Sequence, residues 1–223
     1  MTEREFVPGR SGEPRRGSLG TRAPVIGLIG PIGCGKSTVA GWLADRGALV
    51  IDADQLTRDL MAPGTPVTES ILARFGADYR RPDGSLDRAA LGRLVFSDPA
   101  RLAELEAIVH PAVARLMREA IRTADAGRPT AIVLEAIRLV EAGHAPWCDE
   151  VWLVVCDPAA QLARLTGRGI DVADARQRIA AQADSHATWG SAATRIIRTD
   201  GDRDAVEPVV AAAFEDMLAA RRH

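Results

Sequence analysis

Lysine is almost absent from this chain of 223 residues: of its 28 basic residues one is lysine, Lys36, and the rest are arginine. Asparagine is missing altogether. Both amino acids use AA-starting codons, so their joint loss is what GC-rich coding produces. A lysine that survives it marks a place where arginine cannot serve. The lack of asparagine also excludes the N-K-x-D motif with which GTPase switches read guanine. Cysteine is scarce too. Cys34, Cys148 and Cys156 cannot all pair within the chain, and they form no metal-binding set with the histidines. Free thiols in a reducing cytosol are therefore expected. No apolar run reaches the roughly 18 residues of a membrane span. A net charge of −2 favours neither duplex nucleic acid nor an anionic membrane as main partner. Aromatic residues make up only 4% of the chain, and Trp42, Trp147, Trp152 and Trp189 are not spaced as a stacking platform. They read as packing residues.

The length suits one α/β domain with insertions. Residues 1–23 are rich in Arg, Gly, Pro, Ser and Glu and contain no apolar h-region, so they read as a flexible tail and not as a secretory signal. From Pro24 onward, apolar strands alternate with helices. The strand 24–29 feeds a glycine-rich loop, and a helix follows from Thr38 to Arg46. Strands are expected at 48–51, 130–134, 151–156 and 195–197, with a last helix from about Asp204 to Ala220. Continuous apolar strands separated by helices imply a five-stranded parallel sheet covered on both faces. Two excursions interrupt the alternation. One, about 55–128, is mainly helical and too long for a plain crossover. In it His110-Pro111 is expected to end one helix and start the next. The other, about 158–192, contains Gln161, Arg164, Arg168, Arg176, Arg178 and Gln182 and reads as an arginine-bearing lid.

The lone lysine lies in Gly30-Pro31-Ile32-Gly33-Cys34-Gly35-Lys36-Ser37, which fits the phosphate-loop pattern G-x-x-x-x-G-K-[ST]. Glycines let backbone N–H groups turn inward around an anion, and the helix that follows adds its positive end. An ammonium is a compact point charge that fits between phosphates, whereas a guanidinium is a wide planar fork. Gly33, Cys34, Gly35, Lys36, Ser37 and Thr38 are thus candidates for binding ATP, with Ser37 on Mg²⁺. Cys34 is either a small filler or a reactive thiol at a helix N-terminus. Asp52 and Asp54 close the second strand, at the edge where open α/β sheets bind ligands. If the strand runs on through both, their side chains share a face. Either can take a proton from a hydroxyl, or cap the helix expected at Gln55. Glu135 ends the third strand, where it can face Mg²⁺ through water or pair with Arg138. His110 alone reads as structural.

The ordered set of these motifs resembles the dephospho-coenzyme A kinase family, from about Val25 to Phe214. The resemblance is carried by Gly27 to Thr38, by Val50-Ile51-Asp52-Ala53-Asp54, by Asp83-Gly84-Ser85-Leu86-Asp87-Arg88 with Leu91, Val95-Phe96 and His110-Pro111, and by Gln161, Arg164-Leu165, Arg168, Arg178-Ile179 and Gln182. It implies a P-loop kinase fold spanning 24–223, with the 55–128 insertion binding the acceptor and the 158–192 lid contacting phosphates. It implies a cytoplasmic enzyme that moves the ATP γ-phosphate onto the ribose 3′-hydroxyl of dephospho-coenzyme A, with Asp54 as base and Lys36 neutralising charge. Arg168 is expected at the nucleotide, and Asp52, His110, Arg138 and Arg164 at the acceptor. The chain departs from the usual family pattern where Ile29, Pro31 and Cys34 stand in place of Thr, Gly and Ser. It departs again at Ile137-Arg138-Leu139-Val140-Glu141, where a proline is lost and an arginine added. A kinase with another acceptor, or an ATP-binding regulator without turnover, are the competing readings.

Overall fold

The computed structural model describes residues 22–183 and 185–221. The tail expected over 1–23 lies almost wholly outside them. Five strands form one parallel sheet in the order β2-β3-β1-β4-β5. These are β1 (Val25–Ile29), β2 (Ala48–Asp52), β3 (Ala131–Glu135), β4 (Glu150–Val155) and β5 (Arg195–Arg198). The chain leaves β1, passes over β3 to form the edge strand β2, then returns to build β3 beside β1. It next crosses β1 to reach β4, and β5 adds beyond it. The carboxyl end of β1 is therefore flanked by strands whose connections run in opposite directions, the place where such sheets bind ligands.

Strand period two sorts the core into two layers. Ile26, Leu28, Val133, Trp152 and Val154 pack with Val39 and Leu43 of α1 (Lys36–Ala44) and Val210 and Phe214 of α9 (Arg203–Ala220). Val25, Ile29, Ile132, Leu134, Val151 and Leu153 pack on the other face with Met117, Leu139 and Trp189. Trp42, Trp152 and Trp189 are buried, as their spacing suggested.

The stretch after β2 is four helices: α2 (Ala53–Leu60), α3 (Pro66–Phe75), α4 (Arg88–Phe96) and α5 (Pro99–Ala126). Val67, Ile71, Leu72, Leu86, Leu91 and Val95 give it an apolar cluster of its own. Two boundaries differ from the sequence reading. Strand β2 stops at Asp52 and α2 begins at once, so Asp52 and Asp54 do not lie on one strand face. And α5 runs unbroken through Pro111. Proline costs a helix one hydrogen bond, but apolar residues hold both halves here: Leu105, Ile108 and Val109 against the insertion's cluster, Val113 and Met117 against the sheet. The segment 158–192 forms α6 (Pro158–Thr166), α7 (Val172–Ala180) and α8 (Ser185–Ala192). Among the described residues no helix is long and apolar enough to cross a membrane.

Candidate active site

The loop after β1 bends as its glycines require. Gly30 and Gly33 have φ of 140° and 81°, and a Cβ at Gly30 would come within 2.1 Å of the Val154 carbonyl oxygen. Gly35 is the N-cap of α1 and offers no side chain to its free N–H groups. Those donors are left for an anion. Lys36, 8% exposed, folds back so that its Nζ donates to the carbonyls of Gly30 at 2.8 Å and Pro31 at 3.2 Å. Burial lowers the lysine's pKa, and Arg168 adds to this, while Glu135 and Asp54 pull against it. The Ser37 hydroxyl donates to Glu135 Oε1 at 2.9 Å. Glu135 thus meets Ser37, and the ion pair with Arg138 does not form.

Two glutamines hold the loop from the lid side. Gln161 of α6, 5% exposed, donates its Nε2 to the Ile32 carbonyl at 2.7 Å. The Ile32 N–H donates to Gln182 Oε1 at 2.8 Å. One residue of the loop, Ile32, is therefore gripped at both its backbone donor and its backbone acceptor.

The cysteines depart from expectation. Cys34 is joined to Cys156 in a disulfide, and only Cys148 is free. The partners lie 122 residues apart, and the pairing of β1 with β4 brings them together. The Thr199 hydroxyl also donates to the Cys34 carbonyl, at 2.7 Å.

The two aspartates have separate surroundings. Asp52 caps α2 by accepting from the Gln55 N–H at 2.8 Å and lies 3.6 Å from Arg58 Nη2. Asp54 sits in the first turn of α2, half-buried. Burial pushes its carboxyl above the usual range and Asp52 adds to this. The Ile137 backbone amide, Lys36 and Arg58 oppose them.

Three cavities run across the carboxyl edge of the sheet. The first, about 150 Å³, is lined by Gly35, Thr38, Trp42, Thr199, Arg203 and the lid residues Arg164 and Arg168. The Arg203 guanidinium lies 5.6 Å over the Trp42 ring. The second, about 180 Å³, contains Lys36, Ser37, Asp52, Asp54, Glu135 and Arg168. The third, about 350 Å³, lies under the insertion and is lined by Asp54, His110, Met117, Arg138, Glu141 and His144 among others. Gly35 and Arg168 line both the first and the second. Asp54 is the one residue lining both the second and the third.

This places the sequence candidates. His110 and Arg138, both expected at the acceptor, line the third cavity together. Arg164, expected with them, instead donates to the Thr199 hydroxyl at 3.1 Å and to the Thr199 carbonyl, on the far side of the phosphate loop. Arg178, one of the lid arginines expected on phosphate, pairs with Asp174 on its own helix. The sequence reading missed Thr199, Arg203 and His144. His144 is buried and stacks on Trp147 at 4.1 Å, with Arg118 over the same indole at 5.3 Å. Burial lowers the His144 pKa, and His110 and Arg118 lower it further. The close spacing of His144 and Trp147 was the available signal. For a hard cation the residues at hand are the Ser37 hydroxyl and the carboxylates of Glu135, Asp52 and Asp54. No cluster of three or more His, Cys, Asp or Glu that could enclose a metal is found among the described residues. A few oxygen donors beside a phosphate cradle fit Mg²⁺, which is held by one or two protein oxygens, substrate phosphates and water.

The family described as dephospho-CoA kinase matches residues 24–204. The dephospho-CoA kinase of Symbiobacterium thermophilum is 49% identical over 192 residues, covering 85% of this chain and 80% of that protein. That of Geobacter metallireducens is 44% identical over 197 residues, covering 87% and 96%. The crystal structure of TT1252 from Thermus thermophilus superposes with a TM-score of 0.72 at 33% identity, covering 87% of this chain and 98% of that one.

Proposed function

The chain belongs to the dephospho-CoA kinase family, and from that premise we propose how its residues carry out the family's reaction. The enzyme transfers the γ-phosphate of ATP to the ribose 3′-hydroxyl of dephospho-coenzyme A, the last step of coenzyme A synthesis. The observation that carries the residue assignment is Asp54, the one side chain lining both the phosphate cavity and the cavity under the insertion. A group at that junction reaches the acceptor hydroxyl on one side and the transferred phosphate on the other.

ATP would lie with its phosphates in the loop 30–37 and its base in the cavity of Trp42, Thr199 and Arg203. Arg164, held by Thr199, and Arg168 would close over the nucleotide from the lid. Lys36 would leave the Gly30 and Pro31 carbonyls for the β- and γ-phosphates, neutralising charge as the phosphoryl group moves. Asp54 would orient the 3′-hydroxyl and accept its proton. Its raised pKa lies nearer the working pH, which suits a general base. Asp52 would hold Asp54 in place through the cap of α2. Ser37 and Glu135 would hold Mg²⁺, the hydroxyl directly and the carboxylate through water. That cation would supply charge neutralisation at the phosphates. Dephospho-coenzyme A would enter beneath the insertion, against His110, Arg138 and His144. A cytoplasmic site of action belongs to the same reading.

The test is a coupled ADP-release assay with Mg²⁺, ATP and a panel of acceptors that includes dephospho-coenzyme A, nucleoside monophosphates and shikimate. Dephospho-coenzyme A should give the highest kcat/KM by at least about 10²-fold. Preference for another acceptor, or ADP release that ignores the acceptor, would defeat the reading.

A further inference from the structure

Cys34 lies between Gly33 and Gly35 in the phosphate loop and is fully buried. Cys156 is partly buried and directly precedes Asp157, the N-cap residue of α6. The disulfide therefore joins the phosphate cradle to the root of the helix that reaches over it. That helix carries Gln161, which grips Ile32, and Arg164, and the turn just past its end carries Arg168; both arginines line the first cavity, and Arg168 the second as well. Residues 156–157 form the join between strand β4 and the lid, where a lid would turn as it opens and closes. The third cysteine takes no part. Cys148 is free, and burial pushes its thiol up to about 12, so it carries almost no thiolate near neutral pH.

We propose that Cys34 and Cys156 form a reversible thiol–disulfide site whose oxidised form pins α6 to the phosphate loop and slows nucleotide exchange. This rests on the nucleotide reading given above. In a reducing compartment the pair stands as two thiols, and the disulfide forms under oxidant. Hydrogen peroxide serves as the oxidant. The Cys156 sulfur, the more exposed of the two, attacks one peroxide oxygen. An S–O bond forms, the O–O bond breaks, and one water leaves. The Cys34 sulfur then attacks the Cys156 sulfenic acid. The S–S bond forms, the S–O bond breaks, and a second water carries off the remaining proton. Two electrons pass from the thiols to one peroxide. A dithiol reductant reverses the change by thiol–disulfide exchange and is itself left as a disulfide. In the disulfide-bonded form the start of α1 has no side-chain cap and stays open to an anion, so oxidation changes how readily the lid moves and not whether phosphate fits.

The test uses the full chain, reduced with dithiothreitol or oxidised with hydrogen peroxide, the Cys34–Cys156 link being confirmed by peptide mapping. Release of a fluorescent ATP analogue is followed by stopped flow, without acceptor. Oxidised enzyme should release it at least about threefold more slowly than reduced enzyme, with dithiothreitol restoring the rate. Cys156→Ser, and Cys156→Ala should serine not fold, should release it at the reduced rate with or without peroxide. Equal rates in the two states, peroxide leaving both thiols intact, or equal slowing of the Cys156 variant would each overturn the proposal. Turnover of the reduced enzyme with S-methylated dephospho-coenzyme A, which cannot itself reduce a disulfide, reports separately on the assigned reaction. No analogue binding in either state would overturn the nucleotide reading, and this inference with it.

Discussion

The Ser37 hydroxyl donates to the Glu135 carboxylate across 2.9 Å, tying the first turn of α1 to the last residue of β3. Ser37 lies on the connection that follows β1 and Glu135 closes β3, and the two meet because β1 and β3 are neighbours. Glu135→Gln keeps an acceptor for Ser37 but loses the charge that would hold a metal-bound water. The Mg²⁺ concentration for half-maximal activity should rise by about 10-fold or more, with kcat at saturating Mg²⁺ much less affected. An unchanged Mg²⁺ titration would remove Glu135 from the cation site.

Gln161 donates to the Ile32 carbonyl from a site only 5% exposed. Gln161→Leu would leave that carbonyl unpaired, at a cost of about 1–3 kcal/mol. The loop itself should loosen, so the KM for ATP should rise by about 10-fold while the KM for the acceptor stays put. A lower melting temperature with both KM values unmoved would mean that the glutamine only supports the fold.

Lys36 is the one lysine in a chain that otherwise uses arginine, and its ammonium fits between two loop carbonyls. A guanidinium is too wide and too planar for that position. Lys36→Arg should lower kcat by about 10²–10³ while the protein stays folded by circular dichroism. Retention of most of the activity would leave codon usage as the better reason for one surviving lysine.

Asp54 also makes a prediction about stability. Burial raises its folded pKa, so the fold favours the protonated carboxyl. The stability this gives is fully present below the unfolded value of about 3.9 and is lost as pH rises through the raised folded value. Asparagine stays neutral throughout. Asp54→Asn should therefore melt higher than the parent at pH 7, by about 2 °C, and the gap should close near pH 3. Equal melting temperatures across that range would show that Asp54 is well solvated.

The parts of this site that were legible in the sequence are those built from adjacent residues. Strand, glycine loop, Lys36 and the opening of α1 form one continuous run, so local pattern was enough. The role of Asp52 against Asp54 was not, because it depends on whether β2 continues past residue 52 or turns into α2. Here the Asp52 side chain caps the helix, and of the two aspartates only Asp54 also lines the cavity under the insertion. Pro111 suggested a break, since the apolar neighbours on either side that keep α5 whole are tertiary contacts. Arg164 and Arg138 looked alike as cations near an acceptor. Only the tertiary placement of α6 beside Thr199, the residue that follows β5, takes Arg164 there and leaves Arg138 beneath the insertion. The disulfide was invisible for the same reason, being a consequence of strand order and not of cysteine spacing.

The account turns on Asp54 as the group that joins nucleotide to acceptor, and steady-state turnover of Asp54→Asn measures it most directly. With ATP, Mg²⁺ and dephospho-coenzyme A, kcat should fall by about 10²–10⁴ while ATP affinity stays within about threefold. The residual rate should lose the acid limb that the parent shows as pH falls through the raised Asp54 value. A variant that keeps kcat within tenfold of the parent, or keeps that acid limb, would contradict the assignment.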